Sequence, residues 1–247
     1  RGYRKESIMP IISFVNRDIR ETGQSLSVAA VAAVMAIEHN YRVIAISTDF
    51  NDKTLENSFY NSKQTSAVTS FLKNTITTDI SNGAEGLIRA FASNRASADM
   101  IKSYTKPILK DRLDVLPGLK TTDYKTFVNM ANYFSQIADV ANASYDMVIV
   151  DVSQEIPNDV QMRILNISDL VLVGVNQSLA AVNNFLKLKI VEPFFQKSNV
   201  VIEIGKYNNR NFKDPKLKEF ANAYINNLKE TKEVILKKKS VLGKNFF

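Results

Sequence analysis

The sequence has no cysteine, and it has only one histidine and six prolines among its 247 residues. Without cysteine, disulfides, iron–sulfur clusters, thiolate zinc sites and cysteine nucleophiles are excluded. A Ser-His-Asp triad could use only His39, which lies at the end of a predicted helix and which we interpret as a residue at a helix C-terminus. No run of 18 apolar residues and no signal-peptide pattern occurs, so we expect a cytoplasmic protein.

Net positive charge is confined to the C-terminal part of the chain. From Lys206 onward there are eleven Lys/Arg and four Asp/Glu, which equals the whole net charge of +7, and the residues before Lys206 are balanced. Such a segment is typical of contact with the phosphates of a nucleic acid or with an anionic lipid surface. A solvated basic helix face is the alternative.

Short β-branched runs alternate with helical patterns along the chain. The predicted strands are Ile11–Val15, Arg42–Ser47, Leu113–Leu116, Met147–Asp151, Leu170–Gly174 and Val200–Ile204. The predicted helices are Ser25–His39, Tyr124–Ala143, Ala180–Phe195 and Lys216–Lys238, with three or four shorter helices within Thr54–Lys110. This alternation predicts an α/β fold with three layers, a doubly wound and mostly parallel sheet flanked by helices. We expect one domain over residues 1–247, with a basic C-terminal helix and tail at 215–247.

The first strand is followed by a polar loop and an Ala-rich helix. Such a helix start carries unpaired backbone N–H groups and the positive end of the helix dipole, which favour phosphate. The next strand leads to carboxylates at Asp49 and Asp52. In a parallel sheet these carboxylates would lie beside the loop.

These segments resemble the ParA/MinD family of P-loop ATPases. Its members have a strand, a Lys-Gly-Gly-x-Gly-Lys-Thr-Thr loop, an Ala-rich helix and a strand ending in Asp-x-Asp. Gly23–Leu26 matches Gly-Lys-Thr-Thr, Asp49 matches the second Asp, and Ser47 stands at the first. Tyr145–Asp151 resembles the Walker B strand of the family, and Leu113–Gly118 resembles its Leu-x-Val-Leu-Pro segment. The resemblance covers nearly the whole chain and implies a P-loop NTPase.

The phosphate loop departs from the family pattern. Gln24 replaces the phosphate-binding lysine, and the leading glycines are replaced within Arg20–Thr22. Arg20 is the nearest cation, and it either compensates for the lysine or pairs with Glu21 on the surface. Such degenerate loops are most similar to those of the TadZ/CpaE branch, which localises Tad pilus machinery.

The resemblance implies ATP and Mg²⁺ as ligands. The residues expected to bind the nucleotide are Arg20, Thr22, Gly23, Gln24, Ser25, Leu26, Tyr207 and Asn208. Ser25 and Asp151 are expected to hold Mg²⁺. Asp49 is expected to orient the attacking water, and otherwise it is a strand-end residue that caps the next helix. Glu155 lies in the family's switch region, or it is an exposed loop carboxylate. Tyr207 and Asn208 otherwise belong to a polar surface loop.

The function that follows is a localisation protein that binds ATP in a nucleotide-sandwich homodimer and positions a pilus or partition assembly. Because Gln24 carries no charge, we expect slow hydrolysis or none, a weak ATPase at most. One alternative is a scaffold of the same fold that binds no nucleotide. Another is a partition ATPase that contacts DNA non-specifically through the basic C-terminus. The tail Lys237–Phe247 is similar to the membrane-targeting tail of MinD, which would place the protein at the inner face of the membrane, and otherwise it docks on the domain.

Overall fold

The computed structural model describes residues 10–16, 23–59, 83–93, 100–176 and 178–205. They belong to two compact units, a larger one formed by 9–16 with 23–171 and a smaller one that includes the chain from Leu172 onward. The predictions made for Arg20, Thr22, Tyr207, Asn208 and residues 215–247 lie outside the described residues. The expectation of a single domain stays a prediction.

The described part of the larger unit contains five complete strands and the start of a sixth. They are β1 (Ile11–Asn16), β2 (Val43–Ser47), β3 (Lys106–Leu109), β4 (Leu113–Leu116), β5 (Met147–Val152) and β6 (Leu170–Asn176). The five complete strands lie in the order β3-β4-β2-β5-β1. The pairs β1–β5, β2–β5 and β2–β4 are parallel, and β3 is antiparallel to β4. The sheet is therefore mostly parallel, as predicted.

Strand β3 was not predicted, although Pro107 indicated a return towards a strand. It forms a tight hairpin with β4 through Asp111, whose backbone is left-handed with a φ of 59°. Proline is tolerated in strands at a sheet edge, where a missing N–H breaks no ladder bond. β3 lies at the edge of the sheet next to β4.

Helices cover both faces of this sheet. The larger unit has α1 (Gln24–Ile37), α2 (Thr54–Phe59), α3 (Ala84–Ala92), α4 (Ile101–Tyr104), α5 (Tyr124–Ala131), α6 (Phe134–Ala141) and α7 (Asn158–Asn166). The crossovers from β1 to β2 and from β4 to β5 run in opposite directions along the sheet. Because such crossovers are right-handed, α1 and α6 lie on opposite faces, and α7 packs against α6. The three-layer, doubly wound prediction is confirmed.

The small residues of α1 place it close to the sheet. Ala29, Ala32 and Ala36 are buried, and α1 packs against β1, β2 and β5. The strands beneath are buried on both faces, as strands covered by helices on each side must be.

The prediction of one helix over Tyr124–Ala143 was wrong, because α5 ends at Ala131 and α6 begins at Phe134. The side chain of Asn132 donates to the carbonyls of Val128 and Asn129 at 3.1 and 3.2 Å. Asparagine side chains that bond helix carbonyls in this way compete with the helical hydrogen bonds. The break therefore falls at Asn132.

The described part of the smaller unit contains most of β6, then α8 (Leu179–Val191), a 3₁₀ helix (Pro193–Gln196) and β7 (Val200–Gly205). The predicted helix Ala180–Phe195 is shorter than expected, since Pro193 cannot donate a helical hydrogen bond and disfavours helix at the residue before it. In the described parts of both units, no helix combines the length and apolar character needed to span a bilayer.

Candidate nucleotide-binding site

The candidate site lies where β1, β2 and β5 end. Asp151 of β5 pairs with Phe14 of β1 and with Ser47 of β2. Because these neighbouring strands are parallel, the residues that follow them meet at one edge of the sheet. Helix α1 begins at this edge, with Gly23 as its N-cap.

Gly23 turns the chain into α1 through a left-handed backbone conformation. Its φ and ψ are 79° and 21°, which residues with a side chain adopt at a cost. No side chain caps this helix start. The prediction that Gly23 permits close approach of the backbone to a phosphate is consistent with this conformation.

Gln24 points back onto the sheet. Its Nε2 lies 2.5 Å from Oδ1 of Asp151, 3.2 Å from the carbonyl oxygen of Phe14 and 3.1 Å from that of Val152. Its two N–H groups therefore serve three acceptors at the ends of β1 and β5. Its own Oε1 is buried without a hydrogen-bond partner.

Asp151 is buried, with 2% of its surface exposed. Burial raises the pKa of its carboxyl, and hydrogen bonding to the Ser25 and Gln24 side chains opposes the rise. Within the described part of the chain, Oδ2 of Asp151 is buried without a hydrogen-bond partner. Ser25 and Asp151, the two residues predicted to hold Mg²⁺, are thus brought together.

Asp49 lies two residues beyond the end of β2. Burial raises its pKa to about 7, and the nearby charge of Asp151 adds to the rise. The hydroxyls of Ser47 and Ser153 oppose it, and Ser47 Oγ donates to Oδ2 of Asp49 at 3.0 Å. Asp52, and not Asp49, accepts from the backbone N–H of Thr54 at the start of α2, at 3.0 Å.

The two carboxylates of this site are stabilised by neutral groups. Among the described residues, the side chains that lower their pKa values are hydroxyls and one amide, with no ammonium or guanidinium group. The described residues also contain no group of three or more His, Asp or Glu arranged to hold a metal ion. A P-loop magnesium ion needs fewer protein ligands, since phosphate oxygens and waters complete its shell. The unpartnered Oδ2 of Asp151 beside Ser25 fits such an ion.

The segment that follows β5 is tied to the end of β2 and to α5. Glu155 accepts a hydrogen bond from the backbone N–H of Phe50 at 3.2 Å through its carboxylate. Its carbonyl accepts from the hydroxyl of Tyr124 at 2.6 Å. Glu155 thus connects the segment after β2 with α5. Neither the switch-region interpretation nor the loop-carboxylate interpretation included this connection.

Sequence reasoning missed three residues of this site, namely Thr48, Ser153 and Gly118. A Cβ added to Gly118 would lie 2.6 Å from the carbonyl oxygen of Asp49, so only glycine fits there. The hydroxyl of Thr48 joins the ends of β2 and β5, donating to the carbonyl oxygen of Asp151 and accepting from the backbone N–H of Ser153. Small hydroxyl residues directly after two neighbouring strands were the signal that could have identified them.

The remaining predicted site residue in the described chain is Leu26. It lies in the first turn of α1, and 63% of its surface is exposed. Leu26 can offer a ligand its backbone but no hydroxyl. His39 follows the opposite end of α1, about 20 Å away along 14 residues of helix, and stacks on Tyr41.

No protein-family model and no curated protein sequence matches the chain. Several solved structures do. A ParA family ATPase from Chlorobium tepidum is 19% identical with a TM-score of 0.60, over 82% of this chain and 77% of that one. A putative plasmid partition protein from Borrelia burgdorferi bound to AMPPNP is 16% identical with a TM-score of 0.52, over 87% and 79%. The cell division ATPase MinD from Pyrococcus furiosus is 17% identical with a TM-score of 0.54, over 86% and 79%.

The chain has the fold of ParA and MinD ATPases. At these identities the likeness establishes the ParA/MinD fold, and the roles of single residues rest on the geometry of the site. In that fold the edge of the sheet where Gln24, Asp49 and Asp151 meet lies at the carboxyl ends of the strands, where open α/β sheets bind their ligands.

Proposed function

We propose that this chain is an ATP-binding, ParA/MinD-like localisation protein that hydrolyses ATP slowly or not at all. It acts as a nucleotide-sandwich homodimer and positions a cellular assembly, a pilus of the kind served by the TadZ/CpaE branch or a partition complex. The solved neighbours are described as partition and cell division ATPases, and one of them was solved with AMPPNP, which supports this proposal.

The observation that carries the proposal is the position of the buried Asp151 carboxylate against the first turn of α1, which contains Ser25. Gln24 bonds Oδ1 of Asp151, and Oδ2 has no hydrogen-bond partner among the described residues. A hydroxyl beside a carboxylate with an unpartnered oxygen is the donor set that P-loop proteins offer to Mg²⁺. Bound Mg²⁺ would neutralise charge on the carboxylates and on the phosphates. The backbone N–H groups at the front of α1 would then hold the phosphates.

Gln24 is the reason for slow hydrolysis. A P-loop lysine neutralises the charge that develops on the transferred phosphoryl group, and a neutral amide cannot. The Gln24 amide is also engaged with Asp151 and with the carbonyls of Phe14 and Val152, so it points towards the sheet. Asp49, which would orient the water, keeps its place beside Asp151.

Equilibrium binding of ATP tests this function, measured by calorimetry with and without Mg²⁺. We expect micromolar to millimolar binding with Mg²⁺ and much weaker binding without it, since two carboxylates face the phosphates. Turnover should be far below the range of about 1–10³ s⁻¹ typical of enzymes. Light scattering should show a dimer that forms only with Mg²⁺ and ATP. Equal affinity with and without Mg²⁺ would contradict the proposal.

The second candidate is a scaffold that binds no nucleotide. The 2.5 Å bond from Gln24 to Asp151 favours it, because this bond satisfies a carboxylate oxygen without any ligand. A constitutive dimer that shows no thermal shift with Mg²⁺ and ATP would support this candidate.

Non-specific DNA binding and membrane association through residues 215–247 are further proposals. Salt-dependent duplex binding tests the first, and sedimentation with anionic vesicles tests the second.

A further inference from the structure

Thr48 is fully buried directly after β2. The last paired residues of β2 and β5 are Ser47 and Asp151. Beyond this pair, the backbone N–H and the Oγ1 of Thr48 both donate to the carbonyl oxygen of Asp151, at 3.1 and 3.0 Å. The side chain of Thr48 therefore extends the connection between the strands past the end of the sheet.

The same hydroxyl also accepts a hydrogen bond. The backbone N–H of Ser153 donates to Oγ1 of Thr48 at 2.7 Å. Among the side chains that fit a buried threonine site, only a hydroxyl both donates and accepts in this way, and valine has the shape but neither function. Thr48 thus holds Asp151 and Ser153, the residues on either side of Val152.

Ser153 in turn influences the electrostatics of Asp49. Its hydroxyl is one of the two that lower the pKa of the Asp49 carboxyl. The same hydroxyl accepts from the backbone N–H of Glu155 at 3.2 Å. Hydrogen bonds therefore run from Thr48 through Ser153 to the turn that contains Glu155, and Asp49 directly follows Thr48 in the chain.

We propose that Thr48 is a positioning residue, which sets Asp49 and Ser153 relative to Asp151 so that the site accepts Mg²⁺ with a nucleotide. This inference rests on the proposed function. Thr48 is fully buried, and its effect reaches the site through Ser153 and through the backbone of Asp151.

Two substitutions separate this role from general stability. Thr48→Val keeps the shape and removes both hydrogen bonds of the side chain, and Thr48→Ser keeps the hydroxyl. Ser168→Ala is the control, since Ser168 is a buried hydroxyl that bonds Ser13 and Ile164 away from the candidate site. The measurements are the Kd of ATP with and without Mg²⁺, and the exchange rate of the Ser153 amide hydrogen.

In Thr48→Val, the enhancement of ATP affinity by Mg²⁺ should fall about tenfold, because the loss of one hydrogen bond changes an equilibrium constant by about this factor. The affinity without Mg²⁺ should stay unchanged, and the Ser153 amide should exchange about tenfold faster. Thr48→Ser should restore both values. Ser168→Ala should lower the melting temperature and leave both values as in the wild type.

An unchanged Mg²⁺ enhancement in Thr48→Val, or a failure of Thr48→Ser to restore it, overturns the role of Thr48 while the proposed function stands. A wild-type chain that binds no ATP removes the proposed function. In that case the exchange rate of the Ser153 amide hydrogen still tests whether Thr48 positions Ser153. Equal rates in Thr48→Val and wild type overturn this positioning as well.

Discussion

The side-chain amide of Gln24 donates a 2.5 Å hydrogen bond to Oδ1 of Asp151. The bond joins the first residue of α1 to a buried carboxylate of β5, across the point where the fold is expected to hold phosphate. In the proposed function, this neutral donor stands where a P-loop lysine would place an ammonium group. The charges of the Asp49 and Asp151 carboxylates are then left to be neutralised by protons or by a bound ion.

Replacing Gln24 by lysine should tighten ATP binding about tenfold or more and raise hydrolysis, since charge-assisted hydrogen bonds contribute about 1.5–3 kcal/mol. Calorimetry and phosphate release measure the two effects. Gln24→Met is the matched control, because it keeps the length of the side chain without charge or amide. If lysine gives no gain in affinity or in turnover, Gln24 does not occupy the phosphate-binding position.

Replacing Ser25 by alanine should weaken ATP binding about tenfold in the presence of Mg²⁺ and leave binding without Mg²⁺ unchanged. The reason is that the hydroxyl is expected to act through the metal ion. Ser27→Ala is the control in the same helix, two residues further on. Equal losses in both variants would show that the effect belongs to α1 as a whole.

The folded state should lose stability as pH rises from about 4 to about 7. The pKa of Asp49 is raised from 3.8 to about 7 in the folded state, so the folded protein holds a proton that the unfolded chain releases. The contribution is fully present below about pH 4 and is gone above about pH 7. Its size is on the order of 2–4 kcal/mol, and Asp151 adds a trend of the same sign.

Urea unfolding at several pH values between 4.5 and 7.5 measures this loss. Asp49→Asn should flatten the pH dependence, and saturating Mg²⁺ with ATP should reverse part of it by favouring the ionised carboxylates. A profile that is the same in Asp49→Asn and wild type would show that Asp49 is not the group that titrates.

Gly118→Ala should lower the free energy of unfolding by about 1–3 kcal/mol and displace the backbone of Asp49. The added Cβ would lie 2.6 Å from the Asp49 carbonyl oxygen and 3.0 Å from Ser47 Oγ. Relief of this overlap requires the backbone of Asp49 to move, which lowers the stability of the folded state. Chemical denaturation measures the stability, and ATP affinity reports on the displacement. A loss below about 0.5 kcal/mol would mean that the segment after β4 shifts freely.

Most strands could be predicted because their signal is local. Buried parallel strands read as continuous β-branched runs, and Met147–Val152 and Val43–Ser47 follow this pattern. Strand β3 was not predicted because a proline interrupts its sequence, and no local pattern indicates its antiparallel pairing with β4. The break at Asn132 escaped because the helical pattern continues through it, and only the direction of one amide side chain ends the helix.

The resemblance to the ParA/MinD family allowed Gly23, Gln24, Ser25, Asp49 and Asp151 to be grouped from the sequence, and the grouping has a physical basis, since parallel neighbours end at one edge. The tertiary structure decided which of them touch. Whether Gln24 faces a ligand or the sheet depends on the separation of β1 from β5, and the role of Thr48 depends on a carbonyl 103 residues away. Periodicity reports burial and direction along one element, whereas hydrogen bonds between elements depend on distances of a few ångströms that no local pattern encodes.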